Sequence, residues 1–151
     1  MVLLLLSVTV TLLLAYQKGD RLDDPISKRL KLEKDKIYVI DFFASWCSSC
    51  QRELPYVSRF AESEKAKGVE VIGIDVDEDV QKGKAFQQAL KAQKMLRFKV
   101  LDDPAGEIIK YFDPIGMPAI YIVKNGRVEE VILGAKDHID KLLREKTEAL
   151  R

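Results

Sequence analysis

The chain has 151 residues, 47% of them apolar and 32% charged, with a formal net charge of +1. That length and composition fit one globular domain and exclude disordered and collagen-like chains. Near-neutrality, with Lys and Arg interspersed among acids, gives no case for a nucleic-acid partner or a polybasic membrane patch.

Val2 to Tyr16 reads VLLLLSVTVTLLLAY without a charge. As a helix these positions would span roughly 23 Å, short of a hydrocarbon core of about 30 Å. The run suits a signal-peptide h-region or a short anchor, although no basic residue precedes it and the Leu13-x-Ala15 cleavage signal is poor. The expectation is a leader over residues 1–17 that exports the chain and tethers it, cleaved inefficiently or not at all, against the alternative of a buried N-terminal element. No cysteine follows the run to take a lipid, and no cysteine lies outside one pair, as suits an oxidising compartment.

Residues 18–35 read as a linker, Lys18 to Asp23, and a short helix. Asp24 is the expected N-cap and Pro25 the first helical residue, with the helix running to about Lys34. The main domain is expected over residues 36–151. Ile37 to Ala44 is a continuous apolar run, as a strand covered on both faces should be, interrupted by Asp41. A helix follows from Cys47 to about Lys67, with Leu54, Val57, Phe60 and Ala61 inward, Pro55 as a kink and Gly68 as the stop. Val69 to Val76 is a second buried strand, completing a right-handed βαβ unit. Asp77 to Met95 is mostly helix, with Val80, Phe86, Ala89 and Leu90 inward. Phe98 to Leu101 is a short strand, and Glu107 to Phe112 a turn and a half of helix. Asn125-Gly126 joins Ala119–Val123 to Arg127–Leu133 as a hairpin. Lys136 to Arg151 closes the chain as an amphipathic helix, with Ile139, Leu142 and Leu143 inward. The predicted class is α/β: a mixed sheet of four to five strands with helices on both faces, parallel strands first and an antiparallel hairpin last.

The chemistry concentrates in Trp46-Cys47-Ser48-Ser49-Cys50, which holds both cysteines where the first strand hands over to a helix. Two thiols at that spacing can close a reversible disulfide within one helical turn, and this arrangement is redox chemistry more often than architecture. A purely structural disulfide would close too short a loop to stabilise much, and a zinc site needs about four ligands. The one other ligand of the usual type is His138, far along the chain and read as a surface residue. At a helix N-terminus, unpaired N–H groups and the macrodipole favour a thiolate, making Cys47 the expected nucleophile and Cys50 the resolving thiol. Ser48 and Ser49 either donate to the Cys47 sulfur or are small residues tolerated on an exposed loop. A carboxylate in an apolar strand is costly unless neutral or paired, so Asp41 is expected to titrate high and to accept the Cys50 proton, or else to be satisfied by backbone donors.

This order, with the cysteine pair at the first strand–helix junction, resembles the thioredoxin fold over about Lys36 to Arg151. Asp41 lies six residues before Cys47, Trp46 immediately precedes the pair, Pro55 lies five after Cys50, and Met117-Pro118 opens the hairpin. The stretches WCSSCQRELP, GVEVIGIDVDED, FKVLDD and IGMPAIYIVKNGRV, with the leader, resemble the TlpA/ResA-type branch, whose extra helix and strand precede the C-terminal hairpin. The resemblance implies a membrane-tethered thiol-disulfide oxidoreductase in the periplasm or cell envelope. Such a protein more often reduces client disulfides, for example those of apocytochrome c haem sites. It also implies an upstream membrane dithiol donor, a monomer, and no metal or cofactor beyond the Cys47–Cys50 pair. Glu53 matches the family's Cys-x-x-Glu pattern and is expected either to tune Cys50 or to be a solvated surface acid. Pro118 is expected to be cis and, with Trp46 and Met117, to form the client groove. Thioredoxins pair their buried Asp with a Lys on the next strand; here that place falls near Gly73. A copper-handling or chaperone-like module is the competing class, since thiolates suit Cu(I), but such relatives space their cysteines three apart and add a His. An ordinary cytosolic thioredoxin is the third reading. Nothing in the chain resembles the Thr/Arg-flanked cysteine of a peroxiredoxin.

Overall fold

The structure, a computed structural model, describes residues 15–151. The expected leader falls almost wholly on residues 1–14 and so lies outside the described residues. The elements are α1 (Asp24–Leu30), β1 (Ile37–Phe43), α2 (Ser48–Glu64, followed by a 3-10 turn), β2 (Val69–Asp75), α3 (Val80–Ala92), β3 (Lys99–Asp102), α4 (Ile109–Phe112), β4 (Ala119–Lys124), β5 (Arg127–Leu133) and α5 (Ile139–Glu148). One five-stranded sheet runs β3-β2-β1-β4-β5, with β1, β2 and β3 parallel and β4 and β5 antiparallel additions.

β1 is central, and all seven of its residues are buried. Period-two alternation sends Ile37 and Val39 to one face, where Val57, Phe60 and Ala61 of α2 and Ile139 and Leu143 of α5 pack. Tyr38, Ile40 and Phe42 go to the other, against Ile26 and Leu30 of α1 and Phe112 of α4. Helices therefore cover both faces, as a continuous apolar strand requires. The hairpin turns at Asn125 and Gly126 with φ of 49° and 71°, the left-handed pair that a tight β-turn needs.

The elements depart most from the sequence reading in four places, and elsewhere their ends move by one or two residues. α1 is capped by Asp23, whose carboxylate takes the Tyr16 hydroxyl at 2.7 Å, and it stops at Leu30 because Lys31 turns left-handed at φ 56°. Lys18 to Asp23 is no free linker. It lies along β5, with Gly19 N–H on Val128 O at 2.7 Å and Leu22 N–H on Gly126 O at 2.8 Å, covering an edge that would otherwise offer unpaired backbone. α3 starts at Val80, because the Asp79 carboxylate caps Gln81 and Lys82 N–H. Its inward stripe is Gly83, Gln87 and Leu90, while Val80 and Ala89 face solvent. α5 begins at Ile139, since His138 before it is left-handed at φ 54°.

Candidate active site

The site sits beyond the C-terminal end of β1. Cys47 is the N-cap of α2, and its sulfur accepts the Cys50 N–H at 3.3 Å. The two sulfurs are joined as a disulfide, with the Cα atoms 5.3 Å apart. Cys47 is 6% exposed and Cys50 1%, the order expected of an attacking and a resolving thiol. Ser49 Oγ lies 3.6 Å from Cys47 Sγ, so one of the two serines faces the sulfur; Ser48 is exposed.

Asp41 is buried on the α2 side of β1 and lies in register with Gly73 of β2. A Cβ at Gly73 would stand 2.8 Å from both Phe43 Cε1 and Phe98 Cε2, so two aromatic rings fill the space that a lysine stem would need. Burial, with repulsion from Glu53 added, pushes the Asp41 carboxyl well above its ordinary value. Glu53 is buried rather than solvated, with Oε1 accepting Lys136 N–H at 2.5 Å. Burial raises it too, against the hydrogen bond from the Lys136 amide and the Lys136 charge. A cavity of about 610 Å³, lined by Arg52, Tyr56, Lys136 and His138, adjoins Glu53.

The Met117–Pro118 bond is cis, as expected. Met117 packs against the cluster of Phe43, Cys47, Cys50 and Leu54, which brings the β4 loop beside the disulfide. Trp46, next to Cys47 in the chain, is 67% exposed, and Ile115 in the Met117 loop is 89% exposed. An apolar rim around a disulfide can hold an extended peptide. The sequence reading named Trp46 and Met117 but not Ile115, which has no periodic signal because it stands in a loop.

The reading also missed a polar group behind the disulfide. Ser45 N–H and O–H both donate to the Asp77 carboxylate at 2.7 Å, and Ser45 O accepts Gln51 Nε2 at 2.7 Å. Asp77 N–H in turn donates to Asp75 Oδ1 at 3.0 Å. The available signal was the acid at the end of an apolar strand in Ile74-Asp75-Val76-Asp77. Among the described residues no three His, Cys, Asp or Glu side chains group as a metal site, and no helix is long and apolar enough to cross a membrane.

Comparison with known proteins agrees with this geometry. The AhpC/TSA family model matches residues 21–131. The thiol-disulfide oxidoreductase ResA of Bacillus thuringiensis subsp. konkukian (strain 97-27) is 34% identical over 125 residues, covering 80% of this chain and 70% of that protein. A structure described as a thiol:disulfide interchange protein DsbE from Chlorobium tepidum superposes with a TM-score of 0.74 at 25% identity, over 89% of this chain and 98% of the other. StoA from Bacillus subtilis gives a TM-score of 0.65 at 25% identity, over 76% of this chain and 84% of its own.

Proposed function

Because this chain belongs to the AhpC/TSA family and is a ResA-type thiol-disulfide oxidoreductase of thioredoxin fold, we propose that it reduces disulfides of protein clients outside the cytoplasm. The observation that carries the reading is Cys47 at the N-cap of α2, its sulfur already accepting a backbone N–H. The same donor and the helix terminus stabilise a thiolate once the disulfide is opened.

In the dithiol form the Cys47 thiolate attacks one sulfur of the client disulfide. A Cys47–client bond forms, and the other client sulfur leaves as a thiolate and takes a proton. Cys50 gives its proton to Asp41 and attacks Cys47 Sγ, releasing the second client thiolate, which is protonated in turn. The client gains two electrons and two protons, and the enzyme is left as the Cys47–Cys50 disulfide. A carboxyl raised by burial suits this task, because it holds and returns a proton nearer the working pH than an exposed one does. Glu53 adds its charge beside Asp41, next to the cavity at Lys136.

Trp46, Met117 and Pro118 take the client as an added extended strand, with the apolar side chains as its walls. Residues 1–17 tether the monomer to the membrane at the periplasm or cell envelope, where a membrane dithiol donor re-reduces the pair. The clients include cysteine pairs such as those of haem-attachment sites.

Insulin is the test substrate. Wild type is expected to reduce it, Cys50→Ser to accumulate a covalent enzyme–insulin disulfide, and Cys47→Ser to do neither. Turnover by Cys47→Ser at the wild-type rate would overturn the assignment.

A further inference from the structure

We propose that Asp77 and Gln51 are positioning residues that hold Cys47 against the N-terminus of α2 through a three-point grip on Ser45. The inference rests on the exchange reading above and extends it to residues that touch neither sulfur.

All three polar groups of Ser45 are engaged. Asp77 receives its N–H and its O–H, each at 2.7 Å, and Gln51 Nε2 donates to its carbonyl at 2.7 Å. The flanking turn is closed by Cys47 N–H on Ala44 O at 3.1 Å, and Gln51 N–H binds Cys47 O at 3.1 Å. Ser45 is thereby fixed to α2 on one side and to the loop after β2 on the other. That loop is anchored further in. Asp77 N–H binds Asp75 Oδ1 at 3.0 Å, and Gln87 Nε2 of α3 bridges Asp75 Oδ2 at 2.7 Å and Asp102 Oδ1 at 2.8 Å. Lys84 pairs with Asp102. Gly83 sits in mid-helix because a Cβ there would stand 2.9 Å from Asp75 Oδ2.

This anchorage is expensive for a mere loop. Asp75 is 2% exposed and Asp77 6%, two carboxylates side by side in the interior, where burying charge carries a heavy penalty. The reason becomes apparent in the dithiol state. While the disulfide is closed, a covalent bond holds Cys47 in place. Once it opens, the Cys47 sulfur keeps its place over the Cys50 N–H only as firmly as the 44–47 turn holds it. The grip on Ser45 is the part of that turn that does not change with oxidation state.

The test uses Asp77→Ala, Asp77→Asn, Ser45→Ala and Gln51→Ala in the otherwise intact chain. Iodoacetamide is reacted with the reduced protein across pH, and thermal unfolding is followed on the oxidised protein. Asp77→Ala is expected to move the pH profile of Cys47 alkylation up by about one unit, and so to slow alkylation about tenfold at pH values well below both profiles. Ser45→Ala and Gln51→Ala, which each remove part of the grip, should shift it in the same direction by less. Asp77→Asn keeps the grip, because its Oδ1 accepts the Ser45 N–H and its Nδ2 donates to Ser45 Oγ, and it should restore the wild-type profile. If Asp77 acted on the thiolate through its charge, both variants would speed alkylation, since removing a nearby negative charge favours a thiolate. Asn behaving as Ala does, or Ala leaving the profile unmoved while lowering the melting temperature, overturns the proposal. If the Asp77 variants do not fold, Ser45→Ala and Gln51→Ala decide it, and a wild-type profile in both overturns it. A wild-type Cys47 no more reactive than an ordinary thiol would sink the exchange reading instead.

Discussion

Replacing Asp41 by Asn should make the protein more stable at neutral pH and leave it unchanged in acid. Asp41 is 2% exposed, and the position across the parallel ladder is a glycine, whose space is filled by Phe43 and Phe98 rather than by a cation. Its carboxyl is raised above its ordinary 3.8, first by burial and then by the Glu53 charge. The folded state therefore binds more protons than the unfolded state between the two titration points, so wild-type stability falls as pH rises through the native one. Below the unfolded value both states carry the neutral acid, which Asn imitates in shape, and the two proteins should coincide. At neutral pH the variant escapes the penalty that the wild type bears for burying an ionised carboxylate, or for holding a proton that the unfolded chain has released, about 1.4 kcal/mol for each pH unit between the unfolded and native titrations. For a chain of this size each such pH unit corresponds to roughly 3–5 °C in melting temperature. The assay is thermal or denaturant unfolding of the oxidised forms from pH 3 to 9. Asp75 is raised as well and tilts both curves the same way, so it drops out of the difference curve, which reports Asp41 together with its repulsion from Glu53. In the reduced enzyme the same substitution should slow disulfide release and flatten its pH dependence. Parallel stability curves across the whole range, or an unchanged pH profile of exchange, would refute the reasoning.

Gly73→Ala should cost about 1–3 kcal/mol by overpacking, because two aromatic carbons lie 2.8 Å from the new Cβ; urea denaturation measures it. Glu64, 0% exposed, takes Lys67, Arg144 and Arg151; burial pushes its carboxyl up, but bonds from Arg151, Lys67 and Ser63 outweigh this and hold it low. Glu64→Gln should therefore destabilise by about 1–2 kcal/mol, discounted for its partly solvated partners, and the deficit should fade as pH falls through the native Glu64 titration. Trp46→Ala should raise KM for a protein disulfide by about fivefold or more, the loss of one interface anchor, while a small disulfide such as a dithionitrobenzoate is reduced as before. Parallel kinetics on the two substrates settle that point.

How far the sequence speaks depends on whether a feature is local. β1 and β2 are readable because each is a run buried on both faces, and the 125–126 hairpin because its two residues are the ones that accept positive φ. The Cys47–Cys50 pairing, the burial of Asp41 and the cis bond before Pro118 are readable because their spacing survives in the chain. Positions set by packing are not. Val80 and Ala89 continue an apolar helical rhythm but face solvent, because the inward stripe is taken by Gly83 and Gln87, which serve the buried Asp75. Glu53 stays open in the sequence between tuning Cys50 and standing in solvent, because what fixes it is the loop before α5, which lays Lys136 N–H on it, 83 residues away. Lys18 to Asp23 reads as linker because nothing local shows that β5 ends the sheet there.

The placement of these buried acids follows from topology. β1 lies between a parallel neighbour, β2, and an antiparallel one, β4, so the chain leaves the end of β1 toward one side and later returns on the other. Such a divergence leaves a crevice outside the strand's carboxyl end, where no helix can close over the backbone. Asp41 and Asp75 lie toward the C-terminal ends of β1 and β2, Asp77 follows and holds Ser45 of the turn before the disulfide, and among the described residues none of the three is ion-paired. Glu64, equally buried, sits at the other end of α2 with three cations around it. The fold thus surrounds Glu64, at the far end of α2, with cations, and leaves Asp41, toward the C-terminal end of β1, without one. Supplying a cation at Gly73 would test this contrast directly: room for it requires trimming the rings, so Phe98→Ala with Gly73→Lys should drop the Asp41 titration and slow Cys50-dependent release. Unchanged release kinetics in a folded double variant, with Phe98→Ala alone as control, would show that Asp41 is buried for packing and not for proton transfer.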